Sequence, residues 1–144
     1  MEKLFLIAEI AATPVAICCD HIESVVRVNE VVNVPRADPV IAGLFSMRSR
    51  VLTLIDCQYR ISGTQKPFER GCPAVIASIN GHSFGLMVDR VRDVVSVSDD
   101  AVLAATRLNP KWSGLCSRLA EIEDHLVMIL DPEKLVSTDQ RAAA

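Results

Sequence analysis

Two guanidinium groups stand closest to doing chemistry in this sequence. Arg48 and Arg50 flank Ser49 between two apolar runs. On a hairpin turn, that spacing would present a fork to a carboxylate or to backbone carbonyls, because the planar guanidinium donates to paired acceptors. A solvated turn is the competing reading of the same residues.

Other chemically capable residues form no constellation. The five cysteines (Cys18, Cys19, Cys57, Cys72, Cys116) include no C-x-x-C pair and no Cys/His spacing suited to zinc. They read as small buried hydrophobes. Each of His21, His82 and His125 sits beside an expected turn or helix start, away from other ligands, and reads as solvated or locally capped. A G-x-S-x-G nucleophile motif and a Gly-rich phosphate loop are both absent. Asp56 and Asp131 close two matching apolar runs, where a carboxylate caps the next turn more often than it moves a proton. Catalytic residues, cofactor and metal are therefore not expected.

Composition narrows the classes further. The 144 residues suit one domain, or two small units sharing a core. A chain of this size buries roughly 70% of its unfolded surface. Half the residues are apolar but six are aromatic, so valine, isoleucine and leucine must carry the core, with a lean toward strand. A net charge of −3 without a basic run offers no electrostatic footprint for nucleic acid. Tyr59 and Trp112, the only large polar aromatics, fall far apart and make no stacking platform. The N-terminus lacks signal-peptide features, and no apolar run approaches the ~18 residues of a membrane span. A cytoplasmic chain with no direct membrane insertion is expected.

The elements that must position these residues come in two copies. Phe5 to Ile10 reads like Ala74 to Ile79, Val15 to Ile22 like Phe84 to Val91, and Glu23 to Val28 like Arg92 to Val97. Gly43 to Ser46 echoes Gly114 to Ser117, and Val51 to Asp56 echoes Leu126 to Asp131. Two copies are too few for a solenoid, so two related units packed together is the simpler architecture.

Each copy reads as strands. Asn80-Gly81 between apolar stretches is a strong hairpin signal, and Thr13-Pro14 marks the matching turn. Asp20 and Asp89 each suggest a cap followed by about one helical turn, with Ile22 and Val25, or Val91 and Val94, facing inward. Pro- or Gly-bearing loops follow, from Val34 to Pro39 and from Asn109 to Gly114. The runs at 51–55 and 126–130 are apolar on both faces and need cover on both sides. Small barrels packed on each other would supply it. Asp99 to Ala104 suggests one turn with acidic residues at its start, Pro132 to Leu135 a short terminal helix, and 137–144 a frayed tail.

Several of these segments resemble the CheW-like domain family. Gly43-Leu44-Phe45-Ser46-Met47-Arg48 with Val51 to Asp56 is similar to its G-[VI]-x-N-L-R-G-x-[IV]-x-P-[IV]-[IV]-D-L pattern. Gly85 to Val91 with Asp93-Val94, Ala16-Ile17 with Ile22 and Val25, and Leu130-Asp131 with Leu135 resemble its other motifs. The resemblance covers about residues 4 to 136. It implies an all-β fold of two five-stranded SH3-like barrels with an apolar groove between them, short helical turns and a short C-terminal helix. Within one CheW-like domain over 1–144, the barrels would span 12–67 and 72–131, the second joined by the N-terminal strand.

By function, the resemblance implies a non-catalytic adaptor coupling chemoreceptors to a CheA-type histidine kinase. The implied partners are that kinase's regulatory domain and the cytoplasmic tip of methyl-accepting chemoreceptors. Contacts would come from Arg48 and Ser49 at the turn, from Ile22, Ser24 and Val25, and from Val91 and Val94. A divergent regulator competing for kinase or receptor in another pathway is the alternative within the family. Four positions depart from the pattern: Ser46 for Asn, Ser49 for Gly, Thr53 for Pro, and Ser24 for the acidic residue, with Glu23 one place earlier. Ser49 should cost about 1 kcal/mol if its turn keeps a positive φ. Ser24 removes a possible partner for an arginine.

Overall fold

The computed structural model describes residues 2–104, 112 and 114–136. The first copy forms β1 (Glu2–Ile10), β2 (Thr13–Cys18), β3 (Ile22–Val28), β4 (Ile41–Met47), β5 (Arg50–Asp56) and the helix α1 (Cys57–Ser62). The second forms β6 (Cys72–Ile79), β7 (His82–Met87), β8 (Arg90–Ser98), β9 (Val102–Ala104), β10 (Cys116–Ile122), β11 (His125–Leu130) and α2 (Pro132–Val136). The fold is all-β, as expected, in two sheets. The loop expected from Asn109 and the tail at 137–144 lie outside the described residues, apart from Trp112 and Gly114.

The two copies exchange strands. One sheet runs β8-β1-β2-β11-β10-β9 and the other β3-β6-β7-β5-β4. Each sheet thus takes its first hairpin from one copy and the rest of its strands from the other. The sheets run across the approximate units expected at 12–67 and 72–131, because β6 and β7 lie in one sheet with β3, β4 and β5. The expected strand count is corrected, since the three-residue β9 makes one sheet six-stranded. Equivalent strands occupy equivalent places in the two sheets.

Burial explains the apolar runs. Leu6, Ala8, Ile10, Val15 and Ile17 face a central cluster that also holds Val75, Ala77, Ile79 and Leu86 from the other sheet. Their neighbours Phe5, Ile7, Ala16 and Cys18 point the opposite way, into a cluster with Val97, Ala120, Val127 and Ile129. A third cluster holds Val28, Phe45, Leu52, Leu54, Ala74, Ile76 and Met87. Strands β1, β2 and β6 are therefore covered on both faces, which their unbroken apolar sequences require. The runs at 51–55 and 126–130 are only partly so: Val51 is 68% exposed and Leu126 61%.

Four two-residue turns join the hairpins, each with positive φ at both residues: Ala11-Ala12, Arg48-Ser49, Asn80-Gly81 and Glu123-Asp124. This mirror-image turn matches the twist of paired strands. Asn80-Gly81 turns as expected. In the first copy the turn is Ala11-Ala12, and Thr13-Pro14 opens β2 instead. The aligned turns pair Gly43 with Arg118, since Gly43 lies opposite Leu54 and Arg118 opposite Ile129. The echo of Gly43 in Gly114 is thus four residues out of structural register.

The segments after Asp20 and Asp89 are strands, not helical turns. Ile22, Ser24 and Val25 lie on β3, and Val91 and Val94 on β8. Their β-branched density favours a pleated strand over a helix. Val25 and Val94 face outward, 42% and 54% exposed, while Ile22 and Val91 pack partly against the central cluster. Asp20 sits within a three-residue 3-10 turn, Cys19–His21. A similar turn at Asp99–Ala101 precedes β9, as the acidic pair suggested.

Candidate interaction surface

The β4–β5 turn carries Arg48 and Ser49, both exposed, with φ of 48° and 69°. Serine therefore does occupy the left-handed position where the family pattern has glycine. Arg48 makes no ion pair among the described residues. Arg50, next along the chain, is engaged: its Nη2 lies 3.2 Å from Glu23 Oε1 and its Nη1 donates to Ser83 Oγ at 3.3 Å. The Ser83 hydroxyl donates in turn to Glu23 Oε2. Hydrogen bonding from Ser83, then Arg50, holds the Glu23 carboxyl below its ordinary range.

Local structure explains why Glu23 reaches this far. Ile22 pairs with Ala77 and Ser24 with Ile76, so Glu23 is the extra residue of a β-bulge. A bulge re-aims the side chain it inserts. The arginine partner that Ser24 cannot supply is thereby supplied from one place earlier, contrary to the expectation of a lost partner.

A groove of about 340 Å³ opens where the two sheets meet, lined by Val25, Val26, Arg27, Pro73, Asp89, Arg90 and Val91. Two of the expected contact residues, Val25 and Val91, come together there from opposite sheets. Its walls are part apolar and part charged. Arg27 Nη1 donates to Gly71 O at 2.9 Å, and Asp89 pairs with Lys66 at 3.2 Å while accepting from Ala12 N. Ile22, Ser24 and Val94 are not in this lining, and Arg48 and Ser49 sit at the hairpin tip. The expected contacts are therefore spread over both faces of β3, the first half of β8 and one turn.

A second depression, about 750 Å³ and more open, was not anticipated. Arg50, Val51, Thr53, His82, Ser83 and Phe84 line it across β5 and β7. The exposed Val51 beside the turn arginines was the available signal, masked because the run 51–55 read as core.

The remaining candidates take structural roles. Asp56 is buried, caps α1 by accepting from Tyr59 N at 3.0 Å, and accepts from Lys66 N at 2.8 Å. Burial raises its pKa against those hydrogen bonds. Asp131 accepts from Glu133 N at 3.1 Å at the head of α2. Both aspartates cap, as expected. All five cysteines are free, with Cys19 half-buried and the others buried. Burial pushes up the thiols of Cys19, Cys57, Cys72 and Cys116, the reverse of nucleophile activation. Among the described residues no group of three metal-ligating side chains forms, and no helix is long and apolar enough to cross a membrane.

Comparison with known proteins gives this geometry a family. The model of the CheW-like domain matches residues 4–140. A "Chemotaxis protein CheW" of Treponema pallidum (strain Nichols) is 26% identical over 85 residues, covering 56% of this chain and 50% of the relative. That alignment spans about half the relative's length. The crystal structure of the scaffolding protein TtCheW from Thermoanaerobacter tengcongensis matches with a TM-score of 0.82 at 18% identity, covering 91% of this chain and 90% of the other. The likeness to TtCheW is one of fold. With that match running over residues 4–140, the chain belongs to the CheW-like domain family.

Proposed function

We propose that this chain is a cytoplasmic, non-catalytic scaffold that couples chemoreceptors to a CheA-type histidine kinase, acting as a single CheW-like unit. The observation that carries the reading is the family match across residues 4–140. The chemotaxis relative and the scaffolding fold support it. In this reading the groove holding Val25 and Val91 takes the apolar stripe of a receptor's helical tip, as amphipathic helices lie in apolar grooves. Arg48, which pairs with no carboxylate among the described residues, donates to an acidic group on a partner. Ile22, Ser24, Ser49 and Val94 border these contacts.

The test is a pull-down from lysate of the source cell with wild type and Arg48→Glu, read by mass spectrometry. Recovery of a CheA-like kinase together with a receptor, weakened by the substitution, is expected. Recovery of kinase alone, indifferent to the substitution, would replace the coupling role by that of a divergent regulator. Recovery of neither would defeat the reading.

A further inference from the structure

We propose that Glu23 and Arg50 are positioning residues for Arg48. Their network with Ser83 holds the β4–β5 turn in one conformation and withholds Arg50 from partners, so that one guanidinium is presented. The inference rests on the partner-binding reading of Arg48 given above.

Three observations carry it. The turn has two adjacent non-glycine residues in the left-handed region, which L side chains adopt reluctantly, so a tie at its base reinforces a conformation that local preference favours weakly. Arg50 is the first residue of β5 after that turn, and its two terminal nitrogens are tied to Glu23 on β3 and Ser83 on β7. Three strands thus converge on the base of the hairpin. The carboxylate arrives there because a bulge turns Glu23 out of the strand's alternation.

The equivalent turn serves as an internal control. Glu123-Asp124 has the same backbone, with φ of 49° and 66°. His125 takes the place of Arg50 and makes no ion pair among the described residues. Arg92 takes the place of Glu23 and pairs with Glu9 on β1 instead. Of the two matching turns, the one bearing Arg48 is the one that is tied.

The network has a chemical consequence. A partner meeting this tip finds Arg48 without an ion pair among the described residues, and beside it an arginine whose terminal nitrogens are occupied. A single carboxylate is the fitting acceptor. A densely acidic surface would gain little from Arg50 unless it displaced Glu23.

The test uses the full chain with Glu23→Gln, Arg50→Gln and the charge-reversed pair Glu23→Arg/Arg50→Glu. Amide hydrogen exchange at residues 47–51 reads the turn without any partner. Binding to the purified regulatory domain of the source organism's CheA-type kinase reads the presentation of Arg48. Each single substitution should speed exchange about threefold, the scale of one exposed ion pair, and weaken binding by a similar factor. The reversed pair should restore both. A direct contact by Arg50 predicts the opposite for binding, because glutamate at position 50 would leave the loss unrepaired; that result would overturn the proposal. Unchanged exchange in both single variants would also overturn it. Altered exchange with no kinase binding by wild type would overturn the coupling function, and the presentation role with it. Binding by wild type that the single variants leave intact would overturn the positioning role alone.

Discussion

The clusters enclosed by the two sheets are built from equivalent positions filled in different ways. In the six-stranded sheet the aromatic is Phe5 on β1, and the place matching Phe45 is held by Ala120. In the cluster of the five-stranded sheet Phe45 on β4 is the buried aromatic, and Ala74 stands where Phe5 would be. Ile7 matches Ile76, Ala16 matches Gly85, and Ile129 matches Leu54. Each cluster thus has one buried phenylalanine, on different strands, while a half-buried Phe68 packs against the cluster of Phe45. A Cβ on Gly85 would lie 2.6 Å from the Phe45 ring, whereas Ala16 is tolerated opposite Ala120. What two diverged copies keep is the volume of a close-packed interior, while the position of each large residue is free to move if its neighbour shrinks.

The comparison can be broken most severely by emptying it. Phe45→Ala should destabilise the protein by about 3–5 kcal/mol, as removal of a buried aromatic usually does, and Phe5→Ala by a similar amount. Urea unfolding of both variants checks this; a much smaller loss in one would mean its cluster collapses to fill the gap. Gly85→Ala should cost about 1–3 kcal/mol by overpacking. Placed on top of Phe45→Ala, the same substitution should cost far less, because the ring it meets is gone. The double-mutant cycle measures that coupling directly.

Smaller effects sharpen the contrast between the two turns. Ser49→Gly should stabilise the protein by about 1 kcal/mol by relieving a left-handed serine. Asp124→Gly should gain less, since aspartate visits that region more readily. Thermal midpoints would rank the two. The smallest effect is on pH. Glu23 titrates below its ordinary value of 4.5 in the folded chain, so its stabilisation is complete above that value and is lost as pH falls through the lowered one. Protection at residues 47–51, taken relative to the intrinsic amide exchange rate at each pH, should therefore fall on acidification below 4.5 in wild type and stay flat in Glu23→Gln.

Much of the candidate surface could be read before any coordinates. Arg48 and Ser49 announced their turn by lying between two apolar runs, while Val25 and Val94, and Ile22 and Val91, matched one another in the repeat but read as inward-facing. The capping aspartates were also legible, because a carboxylate at a strand end has few other uses. The Glu23–Arg50–Ser83 network was not. It joins residues 27, 33 and 60 positions apart through a bulge, and one inserted residue leaves no mark in a period-2 pattern. The segments after Asp20 and Asp89 misled for a related reason: a cap residue signals a helix only where the following residues favour one, and these are β-branched.

Local chemistry alone determined that this chain is strands, that the strands come in two matched sets, and that turns fall near Arg48, Asn80 and Asp124. Alternation, turn residues and apolar runs act over a few positions, so they are written in consecutive residues. Which set each sheet draws upon was decided by tertiary structure. Both copies offer hairpins of the same length and polarity, so pattern cannot tell a strand from its counterpart. The short links at Cys19–His21 and Val88-Asp89 carry the chain to the opposite sheet, and burial of β1, β2 and β6 on both faces rewards the crossing. The exchange brings Val25 beside Val91, and no stretch of neighbouring residues could have made that groove.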